Sequence, residues 1–307
     1  HVIVSEFEWR ALTADHARRT DQWIQPHLDR RRRGHPHPVL DFLFDYYPYS
    51  PGRLGTWHPW LGVRLKGDWE PSSNAHAYTH HGTTWGVDPL TVDRARLALA
   101  LSILKGTNGR TAQHSCFGMH EWAMVYRTSP PDVRHESESL RLSPTEITEV
   151  VDSVGLRCTH IDAFRFFTAE AKPLNEHTPT RARQAKDEQP GCIHANMDLY
   201  KYAMWFQPYI PGSLVLDCFE LSVCAREIDM RASPYDLEHL GYSPIAVETI
   251  DGRREYAFAQ RDIAAKAASL RQRLITGLTV VDTAASASTR RPATSRDATP
   301  IAARSAV

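Results

Sequence analysis

QPGCIHANMDLYKYAMWFQPYIPGSLVLDCFELSVCAREIDMR, residues 189–231, decides the fold class. Residues 196–206 and 213–230 read as two helices, and Pro190-Gly191 as the turn that precedes the first. Inside the first helix His194 and Asp198 stand four residues apart, which puts both side chains on one helical face. A histidine and a carboxylate at that spacing can hold a metal ion, or the carboxylate can fix the imidazole tautomer for base catalysis. Asn196, at the helix start, is expected to cap it. Asp217, Glu220, Arg226, Glu227, Asp229 and Arg231 crowd the second helix and its end, and read as salt-bridged pairs.

Further out the pattern stays helical. The segment over residues 5–33 reads as mostly helical with a kink or break expected near Pro26, capped by Ser5, with Glu6 and Glu8 at the positive end. It closes on Arg30, Arg31, Arg32 and Arg33, followed by Gly34. Cations favour a helix C-terminus and glycine the position beyond it, so the run reads as a solvated helix end. A phosphate-contacting patch is the alternative. Helices are also expected over residues 39–47, 88–104, 116–126, 143–153 and 255–274, the fourth opened by a Ser143/Glu146 capping box. Residues 162–167 suit a short helix or loop, residues 105–110 a turn, and residues 247–252 a small hairpin.

Residues 50–89 are rich in Pro, Gly, His and Trp, with short β segments near residues 62–65 and 78–87. A long irregular insertion of this kind is expected to act as a binding loop or lid. The expectation is a mainly α protein: one large helical domain over residues 1–281 and a disordered Ala/Ser/Thr/Arg tail over residues 282–307.

Composition excludes several classes. Hydrophobic residues make up 42% of the 307 and charged residues 23%, enough for a sizeable core. Lys plus Arg equals Asp plus Glu at 36 each, so no net field steers the chain onto nucleic acid or an anionic membrane. Five cysteines without a CxxC pair fit neither a disulfide framework nor a zinc ribbon, and point to reduced thiols in the cytoplasm. No leader-like start and no membrane span is read.

Polar residues embedded in apolar surroundings carry the chemistry, because buried polar groups must be partnered. His120 and Glu121 sit among Phe117, Trp122 and Met124, where burial would move both toward neutral pKa values suited to acid–base work. His160 and Asp162 are two apart and share a side if extended, and Arg165 lies between aromatics as an anion clamp or as the partner of Asp162. His177 falls in a Pro- and Asn-rich loop and reads as an ordinary loop histidine.

The strings QHSCFGMHEWAMVYR, CTHIDAFRFFT, LNEHTPTR, EQPGCIHANMDLYKYA and LDCFELSVCAREIDMRASPYDL carry a resemblance. Over residues 8–274 the chain resembles a bacterial, mainly actinobacterial, family commonly labelled 3-methyladenine DNA glycosylase. That resemblance implies an N-glycosidic hydrolase acting on an alkylated base. Asp198 or Asp162 would then orient water or stabilise the oxocarbenium-like state, with Glu121 and His194 as further catalytic groups. Trp57, Trp122 and Phe166 would stack the base, Arg165, Asn196 and Tyr200 would complete the substrate pocket, and Arg30–Arg33 would meet DNA phosphates. The residues alone favour a second reading, a metal-dependent enzyme acting on a small molecule. His120, His160 and His194, with Glu121, Asp162 and Asp198, would hold Zn²⁺, Fe²⁺ or Mn²⁺. A ligand-binding or scaffold protein with structural histidines is the third.

Overall fold

The computed structural model describes residues 1–128 and 138–289. Among them are eleven α-helices and a four-stranded sheet, the mainly α architecture expected. Part of the expected tail, residues 290–307, lies outside the described residues.

Three helices set the frame. α1 (Glu6–Arg33) begins at a complete capping box, in which the Ser5 hydroxyl accepts from the Glu8 amide and Glu8 reaches back to Ser5. It ends at Gly34 in the left-handed region. The break expected at Pro26 does not occur: one helix runs through it. α9 (Ile193–Trp205) is the central helix, with residues 193–200 all buried. α10 (Gly212–Arg231) packs along it, tied by the Ser222 hydroxyl donating to the Met197 carbonyl at 2.9 Å. α11 runs from Ile250 to Thr289 and packs against both.

α11 corrects two expectations. In place of the hairpin over residues 247–252, a turn at residues 247–249 leads into the start of α11 at Ile250. Gly252 lies so close to the preceding chain that a Cβ there would fall 1.9 Å from the Ala246 carbonyl oxygen. The C-terminal end is helical eight residues into the stretch expected as tail. Leu274, Leu278, Val281 and Ala285 explain this, since they keep an apolar stripe at helical spacing in the core.

The shorter helices are α2 (Phe42–Tyr46), α3 (Pro51–Gly55), α4 (Arg94–Asn108), α5 (Met119–Ala123), α6 (Pro144–Val154), α7 (Ile161–Phe164) and α8 (Gln184–Asp187). α4 absorbs the expected turn at residues 105–108, and α6 opens on the expected Ser143/Glu146 capping box. The Trp- and His-rich stretch is more regular than expected. Strands β2 (Val63–Lys66), β3 (Tyr78–His81) and β4 (Thr84–Val87) pair antiparallel in the order β2-β4-β3, and β1 (Val2–Val4) adds parallel to β2. Trp57 packs there with Trp9, Val63 and Leu65 in a small core of its own.

The remaining core has two parts. One is built by α1, α2, α4, α9, α10 and α11, the other by α5, α6, α7, the end of α10 and residues 235–256. α9 belongs to the first and α5 to the second, so side chains of α9 that face α5 lie at the seam. No helix among the described residues is long and apolar enough to cross a membrane.

Candidate metal centre

Six buried side chains form two triads at that seam. His120, His194 and Asp229 make the first; His160, Glu188 and Asp198 make the second. Within each, one ligand-capable atom per residue lies within 4.8 Å of the others. Each of the six residues is less than a tenth exposed.

Local sequence explains how each is delivered. α5 is entered through Phe117 (φ 50°) and Gly118 (φ 70°), both left-handed. That turn aims His120 inward, and Trp122 fixes α5 by donating from Nε1 to the Ala232 carbonyl at 2.8 Å. Asp229 comes from the last turn of α10, on the face that also carries Ser222 and Arg226. His160 caps the backbone of α7 in an extended conformation. Glu188 follows α8, whose end is held by Arg110 donating to the carbonyls of Ala185 and Glu188. Gly191 admits the start of α9 against residue 113: a Cβ there would stand 2.2 Å from the Gln113 carbonyl oxygen. α9 then supplies one member to each triad, His194 to the first and Asp198 to the second. The rings of His120 and His194 meet edge to face at 4.5 Å, and those of His194 and His160 lie 5.5 Å apart.

The contacts within each triad are close but not aligned as hydrogen bonds. His120 Nε2 stands 2.7 Å from Asp229 Oδ1, yet among the described residues neither buried atom makes an aligned hydrogen bond. His160 Nε2 is 3.2 Å from Glu188 Oε1 and 3.3 Å from Asp198 Oδ2, again without one. Donor atoms bound about 2 Å from one cation sit about 3 Å apart, with their lone pairs directed at the cation rather than at each other. The nitrogen–oxygen separations in both triads fit that spacing.

Electrostatics sets the charge of each side chain, and at His120 and His160 a cation would have to displace the proton that the neighbouring carboxylates favour. Burial opposes a charge on His120, but the Asp229 carboxylate outweighs it and lifts the pKa to about 10. Burial likewise opposes a charge on His160, and Glu188 and Asp198 raise its pKa to about 9. His194 is driven the other way by burial and by neighbouring His120, so it is neutral with a free lone pair. Burial would raise the pKa of Asp198, but Lys201 and His160 hold it far below the usual carboxylate range; for Asp229 the counterweights are His120, His194 and Arg226. Burying an unpaired carboxylate costs several kcal/mol, so each needs such partners.

Outside the triads, fixed groups hold the carboxylates in place. Arg226 donates to Glu121 at 3.0 Å and to Asp229 Oδ2 at 3.2 Å, with its guanidinium 3.7 Å from the centre of the Phe42 ring. Tyr47 donates to Asp198 Oδ1 at 2.8 Å, and Lys201 pairs with Asp198. Outer partners of this kind orient metal ligands. A chamber of about 20 Å³, lined by His120, His194, Cys116, Cys158, Cys192 and Met119, adjoins the first triad and has room for one water.

The structure divides the expected set, placing His120 and His194 in one triad and His160 and Asp198 in the adjacent one. Glu121 pairs with Arg226 and belongs to neither triad. Asp162 pairs with Arg181 and lies 3.7 Å from Lys201 Nζ and 3.6 Å from Arg165 Nε. Trp122, Tyr200 and Asn196 are fully enclosed, so no ring face there is open to a base. Asn196 lies inside α9 and donates to the Pro190 carbonyl rather than capping; Cys192 holds the cap position. Phe166 and Arg165 stack on each other at the surface. Trp57 belongs to the small Trp9 core. Arg30, Arg31 and Arg32 face Asp41, Asp45 and Asp29.

Two members of the triads are not among the expected site residues. Asp229 sits in a helix dense with charges, where it reads as a salt-bridge partner, which toward Arg226 it also is. Its signal is the inward face Ser222-Arg226-Asp229 at helical spacing. Glu188 sits in a Lys-Asp-Glu run that reads as surface, and no local pattern marks it as buried. Comparison of the chain with family models, curated protein sequences and solved structures finds no match.

Proposed function

We propose that this chain is a divalent-metal-dependent enzyme acting on a small molecule, with two adjacent cation sites at the seam between its two core halves. The carrying observation is the geometry of the triads: six buried ligand-type side chains in two tight sets, with His120 facing Asp229, and His160 facing Glu188 and Asp198, at ligand spacing but without aligned hydrogen bonds.

Two histidines with one carboxylate, and one histidine with two carboxylates, are donor sets that suit Zn²⁺, Fe²⁺ or Mn²⁺. A cation held there would supply Lewis-acid chemistry and acidify a water in its shell. The chain's own contribution is to hold neutral His194 and the side chains of Asp229, Glu188 and Asp198 in fixed geometry through Arg226, Gln184, Tyr47 and Lys201. The small chamber excludes bulk water from His120 and His194 and leaves space for one molecule. Metal-assisted hydrolysis is the reaction class that this arrangement favours, and the free cysteines suit a reducing, cytoplasmic setting.

Base excision from DNA, which the resemblance implies, ranks second. Its catalytic candidate Asp162 is engaged by cations, its stacking candidates Trp122 and Tyr200 are enclosed, and three of the four arginines meet acids.

Elemental analysis of the purified protein tests the proposal. Wild type is expected to retain one or two divalent ions per chain, with His194→Ala losing one. A folded protein that stays metal-free after equilibration with Zn²⁺, Fe²⁺ and Mn²⁺ would overturn it. Release of 3-methyladenine from alkylated DNA by that metal-free protein would promote the second reading.

A further inference from the structure

A second, larger cavity adjoins the small chamber. Its volume is about 650 Å³, within the range of small-molecule sites, and its walls come from Arg110, Thr111, Thr178, Arg183, Lys186 and their neighbours. It shares two wall residues, Thr159 and Gln189, with the chamber that reaches His120 and His194. Gln189 forms the partition: its side-chain oxygen accepts from the Gln113 amide at 2.8 Å and its amide group donates to the Gln113 carbonyl at 3.2 Å. An outer cleft and an inner chamber thus meet at one fixed wall.

The cleft carries a local excess of positive charge on a chain whose net charge is zero. Arg183 pairs with Asp187, and Arg157 at the chamber edge pairs with Glu176, so these four largely cancel. Arg110 spends its donors on neutral backbone carbonyls, which leaves its charge uncompensated. Lys186 lies exposed on the same cleft. The hydroxyls of Thr111, Thr159 and Thr178 add donors without charge. Two cations among hydroxyl donors match an oxyanion rather than a cation or an apolar group.

We infer that the cleft binds the oxyanion group, phosphate or carboxylate, of a small anionic substrate whose other end approaches His120 and His194 past Gln189. This rests on the metal-centre reading for what happens at the inner end, but not for the anion site itself. The two compartments divide the work. The bulk of the ligand occupies the cleft, because the inner chamber has space only for a water-sized species or a narrow group.

The test is calorimetric titration of the purified full chain with inorganic phosphate and, separately, with succinate, in wild type, Lys186→Gln and Lys186→Glu. Metal content is measured on the same samples, and thermal melts check folding. Lys186 is exposed, so both variants should fold. The expected result is saturable binding of one or both anions to wild type, weakened several-fold in Lys186→Gln and at least tenfold in Lys186→Glu, with metal content unchanged. The anion that binds more tightly identifies the group. Absence of binding by either anion, or equal affinity in all three proteins, would overturn the anion site. Because Lys186 is not a triad member, failure of metal-retaining wild type to bind either anion refutes this inference alone. An anion effect in protein that takes up no metal refutes the metal centre alone.

Discussion

His194 and Asp198 lie one turn apart on the same buried face of α9, yet they serve different triads: His194 meets His120 and Asp229, while Asp198 meets His160 and Glu188. The helix therefore couples the two sites rigidly. Substitution at either position should act first on its own triad. His194→Ala is expected to abolish ion binding by the first triad and leave the second within about tenfold of wild type. Asp198→Asn should do the reverse. Competitive titration with a chromophoric chelator reads the two affinities; equal losses at both sites in both variants would show that the triads are not separate.

Arg226 is the buried cation on which two carboxylates depend. Arg226→Met leaves Glu121 and Asp229 short of a counter-charge inside the core. Breaking a buried pair in this way costs about 3–5 kcal/mol. Adding Glu121→Gln removes one stranded charge, so the double variant should be more stable than the single one. Urea denaturation at neutral pH measures both; additive losses would contradict the coupling.

Acid should destabilise the β-sheet side of the molecule through His58. This side chain is 2% exposed, its Nδ1 lies 2.7 Å from the Tyr78 hydroxyl, and burial, aided by His16, pushes its pKa down to about 4. The unfolded chain protonates near pH 6.5 and the folded one only near 4. Folding stability is thus intact above pH 6.5 and falls as pH drops from there toward 4, by about 3 kcal/mol for this group. His58→Gln should flatten that part of the stability-versus-pH curve. An unchanged slope would show that His58 is not the group responsible.

Gly191→Ala should disturb the partition between cleft and chamber more than it disturbs the fold elsewhere. The added methyl would meet the Gln113 backbone at 2.2 Å, so the segment around residue 113 or the start of α9 must shift. A loss of about 1–3 kcal/mol is expected, as for overpacking elsewhere. Amide exchange should quicken around residues 113–116 and 189–195, and exchange confined to other segments would contradict the contact.

Local rules made the helical frame legible. The Ser5/Glu8 and Ser143/Glu146 boxes name their own partners within four residues, and Gly34 marks its helix end by needing a left-handed backbone. Pro26 misleads because a tertiary context can carry a helix through a proline, here with Ile24 and His27 buried on either side. The regularity of the Trp-rich stretch is hidden for a related reason: Trp57 packs in the core of a small sheet whose first strand, residues 2–4, lies some sixty residues away in sequence.

Four of the six triad members were legible in the sequence and two were not. His194 and Asp198 are marked by helical spacing, and His120 and His160 by apolar neighbours. Asp229 and Glu188 acquire their positions only when α10 and the segment after α8 close on α9. Nothing within four residues distinguishes Glu188 from a surface acid, and the charges around Asp229 mask its inward helical face. Conversely Asp162, two residues from His160, takes a different direction because α7 begins between them, and it ends among Arg181, Arg165 and Lys201.

The most direct measurement is an anomalous difference map from crystals of the full chain equilibrated with Zn²⁺ or Mn²⁺, recorded at the absorption edge of the ion used. Two peaks are expected, one bounded by His120, His194 and Asp229 and the other by His160, Glu188 and Asp198. A map with no peak at either triad, at an ion concentration that saturates binding in solution, would contradict the account.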